Sequence, residues 1–307
     1  MTAPRCLTRR EFLLASTSLL WASAGESGGV DAGVPLEAII DIHQHTNYAG
    51  RTNEQFIAHQ RAMGITKTIL LPAGSLYGLA VNAGGNQSVV DLAKKHPGEF
   101  LYFANEVTDL PGARKEIQKY LKLGAIGIGE QKFHVDCDSK ASEMIADLAG
   151  EYNVPVLLHF QNDLYNAHFE RFHKMLEKFP NVNFIGHAIT WWANIDKAPA
   201  DPKVLYPTSK VTPGGLTDRW LSDYANLYAD LSAQSGLNAL IRDEDFTRGF
   251  LQRHQEKLLY GSDCDDRIGH VTGCQGARTI AAIRRLAPSN AIERKLLYEN
   301  AKRLFKL

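Results

Sequence analysis

The chain has 307 residues, 44% hydrophobic and 22% charged, which is ordinary globular composition with enough apolar material for a large core. Lys plus Arg and Asp plus Glu both number 34, so the formal net charge is zero. No basic excess points to nucleic acid or to an anionic membrane surface, and neither is expected as a partner.

In chain order the first element is a targeting segment. Residues 7–13 read LTRREFL, residues 12–21 form a short apolar run, and Ala22-Ser23-Ala24 offers a small-x-small cleavage site. The Thr-Arg-Arg-x-Phe-Leu pattern resembles a twin-arginine signal. This predicts a signal peptide over 1–24, a flexible leader over 25–36 and a single exported domain over 37–307, periplasmic or extracellular. The apolar run is too short for a comfortable span, so no stable membrane anchor is expected after cleavage. Cys6 would leave with the signal, and Cys137, Cys264 and Cys274 would remain. An odd number cannot pair completely within the chain, no CxxC spacing marks a zinc knuckle, and one disulfide is allowed but not required.

Short apolar runs then alternate with stretches of helical periodicity. Strands are predicted at 38–43, 66–72, 100–105, 125–130, 155–160, 183–187, 227–231 and 257–263. Helices are predicted at 54–63, 87–95, 112–123, 139–152, 168–179, 216–224, 237–253 with a break, and 289–305. Eight strand–helix units argue for a parallel sheet closed into a (β/α)8 TIM barrel. An open doubly wound sheet is the alternative, but no Gly-rich phosphate turn follows the first strand. Two long connections, 73–86 and 188–215, follow strands two and six and would rise over the C-terminal face as lids or binding loops.

The strand ends carry the chemistry. Residues 38–46 read AIIDIHQHT, and strand alternation puts His43 and His45 on one face. The same alternation places Asp41 below them in the lumen, as a structural or supporting carboxylate. PVLLHF ends near His159, NFIGHA at His187, LLYGSDC at Asp263, and AIGIGEQKFH places Glu130 and Lys132 at the fourth mouth. A single strand-end histidine is ordinarily structural. Four imidazoles and a carboxylate at one barrel mouth suit zinc or a similar divalent ion. Glu130 reads as a ligand or as a buried ion pair with Lys132, and Lys132 as a possible partner for a substrate carboxylate. Trp191 and Trp192 could wall a substrate pocket or pack the long loop. His134, Asp265 and Asp266 read as loop residues, and Cys264 as packing.

His-x-His after strand one, single histidines after strands five and six, and Asp after strand eight together resemble the amidohydrolase superfamily. IIDIHQH, PVLLHF, FIGHA and LLYGSDC resemble its amidohydrolase-related branch, which includes metal-dependent hydrolases and aminocarboxymuconate-semialdehyde-type decarboxylases. The resemblance runs over about residues 37–307 and speaks to family, not to substrate. It implies one or two divalent ions, zinc foremost, held by His43, His45 and Asp263. It implies that His159 completes a mononuclear site and that His187 serves as electrophile, proton donor or second-site ligand. Some members bridge two ions with a Glu or a carboxylated Lys on strand four, a role open here to Glu130 or Lys132. Asp263 would also orient a water and pass on its proton.

Three functions fit these residues. The leading one is a hydrolase acting on an amide, lactone or ester of a small molecule. The second is a lyase, decarboxylating an unsaturated or aromatic acid without oxidation. The third is an exported barrel that binds a small molecule without turnover. A homodimer is the oligomer to test for, since dimers are common among such barrels.

Overall fold

The computed structural model describes residues 37–74, 83–162, 164–270 and 273–307. The signal and leader segments expected over 1–36, and much of the 73–86 connection, lie outside the described residues. Among the described residues no helix is long and apolar enough to cross a membrane.

Eight short parallel strands follow one another with helices between them: β1 (Ile39–Gln44), β2 (Ile65–Leu70), β3 (Phe100–Tyr102), β4 (Ile128–Gln131), β5 (Val156–His159), β6 (Phe184–His187), β7 (Leu227–Asp230) and β8 (Leu258–Leu259). They pair in the runs β1-β2-β3 and β4-β5-β6-β7-β8. Backbone hydrogen bonds close both remaining seams. Ile126 N donates to Tyr102 O at 2.9 Å and Gly129 N to Ala104 O at 3.0 Å between β3 and β4. Ile42 N donates to Tyr260 O at 3.1 Å and Asp263 N to His43 O at 2.8 Å between β8 and β1. The result is the expected TIM barrel.

The helices start where local chemistry lets them. Thr52 and Gln55 form a capping box at α1 (Asn53–Ala62), Ser139 caps the helix Lys140–Tyr152, and Asp243 caps the helix that follows the break expected within 237–253. That break separates two helices, Ala233–Ile241 and Glu244–Arg253. The expected 289–305 helix is interrupted by a π-helical turn, Lys295–Glu299. A further twelve-residue helix, Gln275–Leu286, lies between β8 and the C-terminal helices.

Two apolar layers form the core. Outward strand residues such as Ile39, Ile128 and Phe184 pack under the helices. Ile40, Ile42, Ile69, Leu157, Ile185 and Leu259 come together from five strands, with Phe103 just past β3, and so fill the lumen, while Leu304 and Phe305 of the C-terminal helix join them. Above this apolar floor the lumen turns polar.

Candidate metal centre

Alternation places most of the mouth correctly. Leu157 and His159, and Ile185 and His187, share parity, with the apolar member in the lumen core and the polar one above it, whereas β8 is shorter than the expected 257–263 and Asp263 beyond it is held at the mouth by its backbone bond to His43 O. Strand β1 breaks the rule. Its pairing with β2 shifts between Asp41 and Gln44, so Ile40 and Ile42 face the lumen and yet His43 and His45 do too. Asp41 is thereby turned outward, correcting the expectation that it lies beneath the pair. It accepts hydrogen bonds from His43 N, Ser262 N and Gln60 Nε2 of α1, tying β1, β8 and α1 together.

His43 and His45 are fully buried, and each has its Nδ1 committed. His43 Nδ1 donates to Asp230 Oδ2 at 2.7 Å, and His45 Nδ1 donates to Leu71 O at 2.7 Å. Neither acceptor has a proton to offer, so in the neutral rings both Nε2 atoms carry lone pairs. These two Nε2 atoms lie 3.2 Å apart. Either a proton or a metal cation between them relieves that contact, and a divalent ion can accept from both rings at once. Glu130 Oε2 is 3.6 Å from each Nε2, and Asp263 Oδ1 is 3.5 Å from His45 Nε2 and 3.8 Å from His43 Nε2. Metal bonds of about 2.0–2.1 Å at tetrahedral angles put ligand atoms about 3.3 Å apart, so the donor set fits one divalent ion. Asp263 Oδ1 and His187 Nε2 are buried with no hydrogen-bond partner, as donors awaiting a ligand would be.

The electrostatics agree. Burial alone would raise the pKa of Asp263, but the neighbouring imidazoles outweigh it and hold the carboxyl far below the usual range. Glu130 is lowered in the same way against burial, chiefly by His159. Burial would lower His43, yet Asp263 and Asp230 raise it well above the ordinary histidine value. Anionic carboxylates packed this tightly draw in positive charge.

Local backbone chemistry permits the crowding. Gly129 has φ of 139°, and a Cβ there would sit 2.7 Å from Leu157 O, so only glycine lets Glu130 reach the axis. A Cβ on Gly261 would meet Asp230 Oδ1 at 2.5 Å and His43 Cβ at 2.9 Å. Ala188, Ala233 and Asp263, all at the mouth, adopt positive φ of 81°, 60° and 42°. Strain of this kind clusters at functional sites.

The remaining expected site residues divide. His159 Nδ1 is 2.5 Å from Glu130 Oε1, and His159, Glu130 and His187 together form a second group of donors close enough to share an ion. Lys132 forms no ion pair with Glu130 among the described residues. It lies near the Tyr165 ring and lines the open cavity above the centre, with Tyr48, His159, His187, Tyr206 and Asp263. Trp191 and Trp192 do not reach that cavity. The helix Ile189–Ala193 starts directly after His187 and turns both rings into the core, Trp191 against Gly186 and Phe160, and Trp192 donating to Asp230 O. Tyr206 comes to the cavity from the 188–215 connection in their place.

Two residues were missed from sequence. Asp230 holds His43 and approaches His187 Nδ1 at 3.2 Å, and Ser232 Oγ bonds His187 Nδ1 at 3.1 Å. The available signal was a carboxylate at the end of LYAD, on the parity that strands five and six use for their polar ends.

No protein-family model and no curated protein matches this chain. Among solved structures, an uncharacterised TIM-barrel protein from Bordetella bronchiseptica aligns with a TM-score of 0.63 at 16% identity, over 88% of this chain and 98% of that one. A probable 2-pyrone-4,6-dicarboxylic acid hydrolase from Acinetobacter baumannii with citric acid bound gives 0.60 at 13% identity, over 88% and 99%. A dihydroxybenzoic acid decarboxylase from Polaromonas, with bound manganese and the inhibitor 2-nitroresorcinol, gives 0.57 at 16% identity, over 88% and 97%. At these identities the likeness is one of fold. A putative amidohydrolase from Staphylococcus aureus also aligns, with a TM-score of 0.54 at 13% identity, and this chain shares the TIM-barrel fold of these structures.

Proposed function

We propose that this chain is a metal-dependent hydrolase of the amidohydrolase superfamily, directing water at an amide, lactone or ester carbonyl. The observation that carries this reading is the pair of converging Nε2 lone pairs, flanked by Glu130 and Asp263 at the foot of an open cavity. His43, His45, Glu130 and Asp263 would hold one ion, with zinc the best match for two imidazoles and two carboxylates. Two carboxylates also neutralise a divalent ion, so the filled site buries no net charge. When bound, such an ion polarises a carbonyl and brings the pKa of a water towards about 7.

The chain's own groups then supply the proton handling. Asp263 points Oδ1 at the histidine pair and Oδ2 at His187 Nε2, 3.6 Å away. It can take a proton from the attacking water and return it to the leaving group. His187 lines the cavity with its Nε2 unpartnered, and as the imidazolium, which Asp230 behind Nδ1 favours, it can donate to an oxygen that gains charge. Lys132 would bind an acidic substituent of the substrate.

Lys132 also supports a second reading, decarboxylation of an unsaturated or aromatic acid, because a cation beside the centre suits a substrate carboxylate. Purified protein should be assayed against lactones, aryl esters, amides and hydroxybenzoates. Hydrolysis that is lost on chelation and restored by zinc or manganese is the expected outcome. Release of carbon dioxide without hydrolysis would transfer the proposal to the lyase reading. If His43→Ala and Asp263→Asn leave every activity and the metal content unchanged, both enzyme readings fail and a binding barrel is left. We also propose export through the 1–24 segment. Replacing Arg9 and Arg10 with Lys should then keep the precursor in the cytoplasm.

A further inference from the structure

A second group of donors lies on the outer side of β1, away from the lumen. His59 on α1, Cys264 just after β8, and Cys274 at the start of the Gln275–Leu286 helix are all buried. His59 Nε2 is 3.2 Å from Cys274 Sγ and 3.3 Å from Cys264 Sγ, and the two sulfurs are 3.3 Å apart. Asp266 Oδ2 is 3.7 Å from His59 Nε2, on the solvent side of the cluster.

The histidine is set for this role by its surroundings. Gln60 Nε2 donates to Asp41 Oδ2 and to Thr68 Oγ1, both at 2.8 Å, which fixes the amide so that its Oε1 faces His59 Nδ1 at 3.0 Å. An amide oxygen can only accept, so His59 Nδ1 carries the proton and Nε2 presents a lone pair to the two sulfurs. Cys274 is the cysteine set for negative charge. Cys274 is an N-cap, its sulfur accepting from Ala277 N at the positive end of a twelve-residue helix. Arg51 is buried 1% exposed and forms no ion pair with a carboxylate among the described residues. Its guanidinium donates only to Asp266 O and Gln44 Oε1, and its Nε has no partner. Thiolates at Cys264 and Cys274 would supply the missing anion.

We propose that His59, Cys264 and Cys274, with Asp266 as the fourth donor, form a zinc-type structural site separate from the centre in the barrel mouth. Zn–S bonds of about 2.3 Å and a Zn–N bond of about 2.0–2.1 Å place tetrahedral ligands about 3.6–3.8 Å apart, so the cluster needs to open by only a few tenths of an ångström. A disulfide would need the sulfurs to close to about 2.05 Å and would leave His59 Nε2 and Arg51 without partners. Two thiolates, Asp266, a divalent ion and the Arg51 guanidinium sum to zero charge. A surface cleft lined by Met63, Gly269 and Ala277 reaches the neighbourhood, with Met63 Sδ 3.5 Å from Cys274 Sγ. The ion would pin the segment after Asp263 to α1 and so hold a ligand of the first centre in place. The inference does not depend on which reaction that centre performs.

Cobalt(II) separates the two sites, because only this one contains sulfur. Full-length mature protein stripped of metal and titrated with cobalt should develop near-ultraviolet thiolate-to-cobalt charge-transfer absorption. His43→Ala/His45→Ala should keep that absorption. Cys264→Ser/Cys274→Ser should lose it, together with one equivalent of bound metal. If the double serine variant does not fold, the spectrum of the unsubstituted protein decides alone. No charge-transfer absorption, with Cys264 and Cys274 both reactive as free thiols after unfolding, would overturn the site. So would a mass two hydrogens lower and two thiols fewer, which would identify a disulfide.

Discussion

A neutral imidazole has two nitrogens and one proton, so whatever accepts at one nitrogen decides what the other can do. Asp230 makes this choice for His43, and Leu71 O makes it for His45. Asp230→Asn can present an amide N–H to His43 Nδ1, which would push the proton onto Nε2 and remove the converging lone pair. We expect metal affinity to fall about 10–100-fold, as is usual when the partner behind a ligating histidine is lost. A competition titration against a chromogenic chelator, with circular dichroism to verify the fold, measures this; unchanged affinity would refute the positioning role. Sequence could not reveal the Asp230–His43 pair, since its members are 187 positions apart. Trp191 and Trp192 show the opposite failure. Their position after His187 was legible, but which way they turn depends on a five-residue helix and on the space that Gly186 leaves.

At the scale of single elements, strand β4 depends on Gly129. Gly129→Ala forces a side chain onto Leu157 O at a φ that L residues avoid, and should cost about 1–3 kcal/mol. A drop in the urea midpoint with an unchanged slope is the expected result, accompanied by lost activity as Glu130 shifts. The helices Leu216–Asp223 and Glu244–Arg253 are joined by Asp218, which accepts from His254 Nε2 at 2.6 Å and from Arg253. Burial would raise the Asp218 pKa, but these two donors outweigh it and lower it. A lowered carboxylate pKa stabilises the fold above the unfolded value of about 3.9, and this contribution fades as the pH drops through the folded value. Asp218→Asn should therefore be less stable than the parent at pH 7, and the gap should shrink steadily below about pH 4. Urea midpoints across pH test it, and a gap that widens in acid would contradict it. Element identity was largely readable: capping residues at Thr52, Ser139 and Asp243 mark helix starts in sequence as they do in the fold. The Gln275–Leu286 helix escaped because its cap is a cysteine, whose sulfur is a weak acceptor and an uncommon start signal.

At the scale of the whole molecule, the barrel is a polar cup on an apolar floor. Phe305 helps seal that floor from the N-terminal side, packing 5.7 Å from the Phe103 ring. Phe305→Ala should destabilise the barrel by about 3–5 kcal/mol, and calorimetry should show one cooperative transition at lower temperature. A loss under 1 kcal/mol would mean that the floor is sealed without it. The sequence by itself determined the barrel and most of its mouth: strand–helix alternation is a periodicity, and His159 and His187 sit where period two and strand ends put them. It also determined that His43 and His45 share a face, because their spacing of two survives the irregularity before them. Only the tertiary structure decided which way Asp41 turns, that Asp230 sets the tautomer of His43, that Glu130 answers to His159 and not Lys132, and that His59 meets Cys264 and Cys274. Each of these depends on a shift in strand register or on a contact between distant segments, and periodicity within one segment carries no record of either.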